Sequence, residues 1–478
     1  MSLDPKDWND FRTQARRVLD ACIDRLEHAD QYPWQKVTDE QKQKLAPELS
    51  RDGQSYEAIA SQLLEDVMPY ATGNTHPKFF GWVHGSGLAS GLLAEMVAAT
   101  MNSNCGGRDH GAAYVEACVI DWCKNVFGFP DQANGIVTVG TSQATILALS
   151  CARMKLFGND VRTKGIAALP SLRVYCREGT HSCVAKALEV MGHGSDCVVD
   201  IKTECPSGPM NMADLFDKVQ KDCEAGLTPL AIVGTAGSVN TGAYDDLESI
   251  ADFCKAEDIW LHIDGAFGAW SVLADMPFGD LAKGIERADS LAFDFHKWLS
   301  VQYDCGAVLI RDGNLHRDTF SMRPSYLAEQ AEGLGGGDIW FCDYGTDLSR
   351  GFRALKVWTA LQTHGLDAFS KSVTGNCEQA HHIAALADKH PRLELAAPIV
   401  SNVCVFKVVS DNISQEELDR LNTAIVHHLQ NTGQGVFSTT LIEGATVIRA
   451  AIVNHRTKIR DIDEIMDAVG DALDHLME

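Results

Sequence analysis

Trp260-Leu-His-Ile-Asp264-Gly-Ala266 and, 33 positions further on, Phe293-Asp-Phe-His296-Lys297-Trp298 decide the reading of this chain. The first is an apolar, strand-forming run that ends in an acid and a small residue. The second follows another short apolar run and ends in His-Lys. Similar runs recur on both sides: Ile136–Val139, Val174–Tyr175, Val198–Val199, Leu230–Val233, Ile259–Ile263, Ser290–Phe293 and Ala307–Ile310. Stretches with helical spacing separate them, at Thr145–Leu156, Val184–Met191, Ala213–Glu224 and Leu247–Ala256. Strands alternating with helices predict an α/β class, with a mostly parallel central sheet covered on both faces. Ligands of such sheets sit on the loops beyond the strand ends, where Asp264 and Lys297 fall.

The flanks differ from this centre. Phe11, Val18, Leu19, Ile23 and Leu26 recur at helical spacing, a second amphipathic stretch runs from Tyr56 to Val67, and Tyr32 to Pro47 reads as extended. Residues 1–80 are therefore expected to form a helical arm with too little core of its own, packed on a partner subunit. A large unit follows at 81–367. After a long helix, Phe352–Thr363, the segments Phe369–Asp388, Val403–Val409, Glu416–Leu429, Val447–Val453 and Ile462–Leu473 predict a small α+β domain at 368–478. Glu332–Gly345 is glycine-dense and is expected to be a mobile loop.

Composition narrows the function classes. Against 41 Lys and Arg stand 65 Asp and Glu, a net charge of −24 over 478 residues, so a broad cationic surface for nucleic acid or anionic lipid is excluded. Fifteen cysteines is an odd number, contains no C-x-x-C pair and follows no zinc or disulfide spacing. They read as reduced thiols of a cytoplasmic protein without a metal site. The acidic start, MSLDPKDWND, does not resemble a signal peptide. The longest uncharged stretch, Gln132 to Ala152, carries too many amides and hydroxyls for a membrane span and reads as a strand entering a helix.

An acid at a strand end and a lysine after the next strand suit one cofactor chemistry. Pyridoxal phosphate needs a lysine to hold its aldehyde and an acid beside its pyridine nitrogen. Ala266, two residues beyond Asp264, would let a flat ring lie against the strand. Gly140-Thr141-Ser142-Gln143 opens a helix directly after a strand and would aim backbone N–H groups at a phosphate. His181 follows a strand and opens another helix, where an imidazole could stack on the ring.

In order along the chain, these residues resemble the group II pyridoxal-phosphate-dependent amino-acid decarboxylases, aromatic-L-amino-acid decarboxylases in particular. The resemblance spans His76-Pro77-x-Phe79-Phe80, the Gly-Thr-Ser-Gln-Ala-Thr turn, Thr180-His181-Ser182, and Asp258 to Asp264. It continues through Ala288 to His296-Lys297-Trp-Leu, and Leu348-Ser-Arg350-x-Phe-Arg353. It implies a fold-type I enzyme of the aspartate aminotransferase type, a homodimer, that decarboxylates an L-amino acid at its α-carbon. Lys297 would hold the cofactor, Asp264 would face its ring nitrogen, and Ala266 and His181 would cover its two faces. Thr141 and Ser142 would bind phosphate, Thr235 would reach the cofactor or the substrate carboxylate, and His296 would line the pocket. Arg449 would meet a carboxylate.

Three departures leave alternatives open. Trp82-Val83-His84-Gly85 replaces a Tyr-Phe-Pro-Thr segment of the aromatic enzymes, so Trp82 and His84 could flank an aromatic ring or His84 could bind a second carboxylate. Asp294 stands where those enzymes carry Asn. The loop tyrosine that protonates product maps to Tyr344, with Tyr326 as the alternative. The same framework also serves transamination and decarboxylation-dependent oxidative deamination to an aldehyde.

Overall fold

A computed structural model of the chain describes residues 2–322, 332–337 and 339–478. Strands β1 (Asn134–Thr138), β2 (Leu172–Arg177), β3 (Val198–Ile201), β4 (Thr228–Thr235), β5 (Trp260–Asp264), β6 (Ser290–Asp294) and β7 (Gly306–Ile310) form one sheet in the order β1-β7-β6-β5-β4-β2-β3. The pairings from β6 through β3 are parallel; those of β7 with β6 and β1 are antiparallel. The exception has a simple cause. No helix intervenes between β6 and β7, so the chain that carries Lys297 turns straight back beside its own strand.

Successive strand residues feed opposite cores. Ile232 and Leu291 pack with the helices Gly111–Phe127 and Leu247–Glu257, whereas Val233 and Ala292 pack with the helices Thr141–Phe157 and Cys183–Val190. Because both faces are covered, the strands read as continuous apolar runs. Phe293 shows how packing sets the site. Its fully buried ring lies 4.8 Å from that of Phe127 and 5.5 Å from that of Trp270, and the next residue is Asp294.

A second, antiparallel sheet contains β8 (Leu393–Leu395), β9 (Val403–Val408), β10 (Ser438–Ile442) and β11 (Ala445–Ala451) in the order β10-β11-β9-β8. The helices Gln415–Asn431 and Ile459–Met477 cover it. The helical run Ala354–Lys389 leads into this unit and is broken at Gly365, which sits at φ 70° and ψ 164°. Phe80 is fully buried in the small core, with its N–H donating to the Val436 carbonyl at 2.7 Å and its own carbonyl accepting from Ala451 N–H at 2.8 Å. The segment before the large unit is thereby tied to the small one, and Trp82 to Gly85 are held between them.

One expectation about the loops is corrected. The end of Glu332–Gly345 is packed: Phe341–Tyr344 forms a 3-10 turn in which Phe341 and Asp343 are buried. Phe341 joins the cluster of Ile136 and Leu147, and Cys342 N–H bonds to the Gly106 carbonyl at 2.8 Å. Apolar residues placed just after the glycines outweigh the glycines' conformational freedom.

Candidate active site

The ends of the parallel strands converge on a cavity of about 490 Å³. Register explains the convergence: Thr235 of β4 lies beside Asp264 of β5, and Asp264 lies beside Ala292 of β6, two residues before Asp294. Trp82, His84, Thr141, Ser142, His181, Thr235, Asp264, Ala266, His296, Lys297 and Arg449 all line it. Gly85 lets the wall approach the floor, since a Cβ there would lie 2.4 Å from the His296 carbonyl oxygen and 2.5 Å from that of Lys297.

Asp294 is the hub of the floor. Its Oδ1 accepts Thr141 N–H at 2.7 Å, at the start of the helix Thr141–Phe157, and its Oδ2 lies 2.8 Å from Lys297 Nζ. Burial opposes the Lys297 ammonium, but the charge and hydrogen bond of Asp294, with Asp264 behind, leave its pKa raised. His296 Nδ1 accepts Cys305 N–H at 3.0 Å, and burial lowers the pKa of its imidazole. Thr235 is fixed through its backbone, whose N–H donates to Asp245 at 2.8 Å.

The groups present fit pyridoxal phosphate. The hydroxyls of Thr141 and Thr235 are buried and have no hydrogen-bond partner within bonding geometry among the described residues. Ala266 presents only a methyl group to the cavity, and its N–H bonds to Asp264 Oδ1 at 3.1 Å. His181 lines the cavity as an exposed residue, whereas Asp264 is buried.

The wall is aromatic. His84, Phe79 and Trp82 form a triangular cluster: the His84 centroid lies 5.9 Å from each of the other two at angles of 16° and 28°, those two lie 6.1 Å apart, and His84 meets Tyr303 edge-on at 5.8 Å. Tyr303 also leans on His296 at 4.3 Å. Burial, then the charges of Lys297, His296 and Arg449, lower the His84 pKa and favour its neutral form.

Two buried arginines show which cation is free for a ligand. Arg350 is neutralised by Glu116, with Nη1 at 2.9 Å from Oε2, and donates to the carbonyls of Cys105 and Val137. Among the described residues no acid lies beside Arg449; its Nε donates to the Val239 carbonyl and its Nη1 to the Gly81 carbonyl and the Ser438 hydroxyl, while its buried Nη2 has no partner there. Burial lowers its pKa to about 10, so it stays charged at neutral pH.

Tyr344 is the site residue that the structure places elsewhere. It does not line the cavity; its ring lies 5.2 Å from that of His316, whose Nε2 bonds to the Tyr344 carbonyl at 2.8 Å. The buried turn Phe341–Tyr344 holds it under the helix Thr141–Phe157. The alternative, Tyr326, lies outside the described residues. Sequence reasoning missed Tyr303, Cys183 and Phe267, which line the cavity. Cys183 follows His181 by two residues and Phe267 follows Ala266, so adjacency was an available signal. Tyr303 had none, since the turn after Lys297 alone brings it back.

Among the described residues, no group of three or more His, Cys, Asp or Glu is placed to hold a metal ion, and no helix is long and apolar enough to cross a membrane. All fifteen cysteines are free thiols.

Comparison with known proteins agrees with this geometry. Residues 39–409 match the family described as "Pyridoxal-dependent decarboxylase conserved domain". An aromatic-L-amino-acid decarboxylase of Bacillus atrophaeus is 31% identical over 96% of this chain and 94% of its own. A phenylacetaldehyde synthase of Arabidopsis thaliana is 24% identical over 99% and 98%. The structure of Oryza sativa TDC with PLP and tryptamine superposes with a TM-score of 0.90 at 22% identity, covering all of both chains. A lysine, two carboxylates and orphaned hydroxyls at parallel strand ends, together with a family match over most of the sequence, make this chain a member of the pyridoxal-dependent decarboxylases, enzymes that use pyridoxal phosphate to remove the carboxylate of an amino acid.

Proposed function

We propose that the substrate is an aromatic L-amino acid, converted to its amine and carbon dioxide. The aromatic wall carries this reading: His84 clusters with Phe79 and Trp82 and is favoured neutral, which suits a flat apolar ring and not a second carboxylate. Among the described residues, Arg449 then supplies the one buried cation without an acid partner for the substrate carboxylate. Relatives named aromatic-L-amino-acid, tryptophan and tyrosine decarboxylase support the same class.

Each residue of the floor has a part in this reading. Lys297 holds the cofactor, with Asp294 beside its Nζ. Asp264 faces the ring nitrogen, His181 and Ala266 cover the two ring faces, Thr141 and Ser142 hold the phosphate, and Thr235, beside Asp264, reaches the cofactor or the substrate carboxylate. When bound, pyridoxal phosphate supplies a sink for the electron pair released as the carboxylate leaves. His296 fixes the floor beneath Tyr303. With Tyr344 anchored on His316, Tyr326 is the tyrosine that hands a proton to the substrate carbon.

The protein is read as a cytoplasmic homodimer, with an arm at 1–80, a large unit at 81–367 and a small unit at 368–478. Free thiols suit that compartment. Leu93, Met96, Val97 and Met101, exposed along the helix Ala89–Met101, and Trp8 and Ile23 on the arm suit a subunit interface.

A screen of the common L-amino acids, measuring amine, aldehyde, ammonia, hydrogen peroxide and carbon dioxide, tests the reading. Tryptophan, tyrosine, phenylalanine or dihydroxyphenylalanine should give amine and carbon dioxide in equal amounts. Turnover confined to acidic or aliphatic substrates, or aldehyde as the main product, would overturn it.

A further inference from the structure

Cys183 is the one cysteine that lines the cavity, and it makes two contacts there. It is the first residue of the helix Cys183–Val190 and is 3% exposed. Its Sγ lies 3.6 Å from Asp264 Oδ2, within hydrogen-bond reach for sulfur, while Asp264 Oδ1 accepts Ala266 N–H. Its backbone N–H donates to His181 Nδ1 at 3.2 Å. That bond makes Nδ1 the acceptor and leaves the imidazole proton on Nε2.

We infer that Cys183 is a positioning residue that sets at once the acid facing the ring nitrogen and the imidazole that covers one face of the ring. The inference rests on the reading of Asp264 as partner of the ring nitrogen. The thiol keeps its proton to donate: burial, and then the charge of Asp264, raise its pKa and hold the proton on sulfur. Donors to a carboxylate favour its charged form, the form needed opposite a protonated ring nitrogen. With Ala266 N–H on one oxygen and the thiol on the other, Asp264 cannot rotate without losing a bond. On its other side the Cys183 side chain packs in the cluster of Ala144, Val184 and Ala187, so the helix that fixes the sulfur also fixes His181.

The test compares Cys183→Ala, Cys183→Ser and Asp264→Asn with the parent. In cofactor-free protein, the infrared S–H stretch lost in Cys183→Ala should lie at the frequency of a hydrogen-bonded thiol and move to that of a free thiol in Asp264→Asn. Pyridoxal phosphate should then bind Cys183→Ala roughly tenfold more weakly, the scale of one lost bond to a charged group. The pH titration of the bound cofactor's absorbance should shift in the same variant. Cys183→Ser, which keeps a donor, should restore both. A stretch that ignores Asp264→Asn overturns the inference, as do cofactor affinity and titration unchanged in Cys183→Ala. If Asp264→Asn itself leaves affinity and titration unchanged, the ring-nitrogen reading fails with it; if only Cys183→Ala is silent, that reading stands.

Discussion

The floor and the wall of the cavity are built on different principles. The floor is made of strand ends: Thr235, Asp264 and Asp294 follow apolar residues buried on both faces, and their places are set by sheet register. The wall is made of turns: Trp82 and His84 come from the segment that ties the small unit to the large one, and Tyr303 from the return loop after Lys297. Floor residues are therefore fixed before any ligand arrives, while wall residues vary with the packing of neighbouring segments. Chemistry common to a family belongs on the first, and substrate choice on the second.

The largest effect that would break this division lies in the floor. Lys297→Ala should abolish turnover, and borohydride reduction of the parent should place the pyridoxyl label on Lys297 by peptide mass. Asp264→Asn should keep the fold and lower kcat on the order of 10²–10³-fold, the scale for removing one preorganised electrostatic group. Near-normal kcat in Asp264→Asn would remove the floor's claim to the chemistry.

Tyr326→Phe and Tyr344→Phe come next, because they separate the proposed proton donor from a tyrosine that packs. Tyr326→Phe should bind cofactor normally and release amine about 10²-fold more slowly, with aldehyde rising relative to amine. Tyr344→Phe keeps the ring against His316 and should change both products little. Both products measured from one reaction decide; the reverse pattern would return the proton to Tyr344.

Arg449 stands between the two regions, a buried cation on a strand of the small sheet that faces the wall. Arg449→Met should raise KM roughly tenfold or more with a smaller change in kcat, the expected cost of a bond to a charged substrate group. An unchanged KM would assign Arg449 to its structural bonds with the Val239 and Gly81 carbonyls and the Ser438 hydroxyl.

The same division explains what the sequence disclosed. Asp264 and Lys297 were legible because strand, acid and lysine follow one another along the chain at places that sheet geometry constrains. Ile136–Val139 and Ser290–Phe293 were legible because burial on both faces leaves unbroken apolar runs. Tyr344 was misplaced because glycine content signals freedom, whereas the burial of Phe341 against Ile136 and Leu147 is a long-range contact with no local signature. Tyr303 and the direction of β7 depend on how one loop turns back, which no residue pattern encodes. The break at Gly365 inside the helical run Ala354–Lys389 was anticipated only as a gap between two helices.

The smallest effect expected is a shift in a pH profile, and it tests whether the floor is as preset as its geometry implies. In the cofactor-free chain Lys297 Nζ lies 2.8 Å from Asp294 Oδ2, and its pKa is raised, so at neutral pH the lysine is an ammonium. An ammonium has no lone pair for an aldehyde; capture of pyridoxal phosphate must draw on the small fraction of neutral amine. The uptake rate should therefore climb with pH through the neutral and alkaline range. Asp294→Asn removes the charge that outweighs burial. The lysine pKa must then fall, since burial alone lowers it, and the neutral fraction at a given pH must rise. The whole uptake profile should move to lower pH, with uptake at pH 7 about tenfold faster for each unit of movement. The amide oxygen can still accept Thr141 N–H, so the helix start proposed to hold the phosphate should survive. Stopped-flow absorbance of cofactor uptake across the pH range reads the shift directly. A profile that stays in place in Asp294→Asn would show that Asp294 serves the helix and not the lysine, and a shift to higher pH would contradict the electrostatics of the floor.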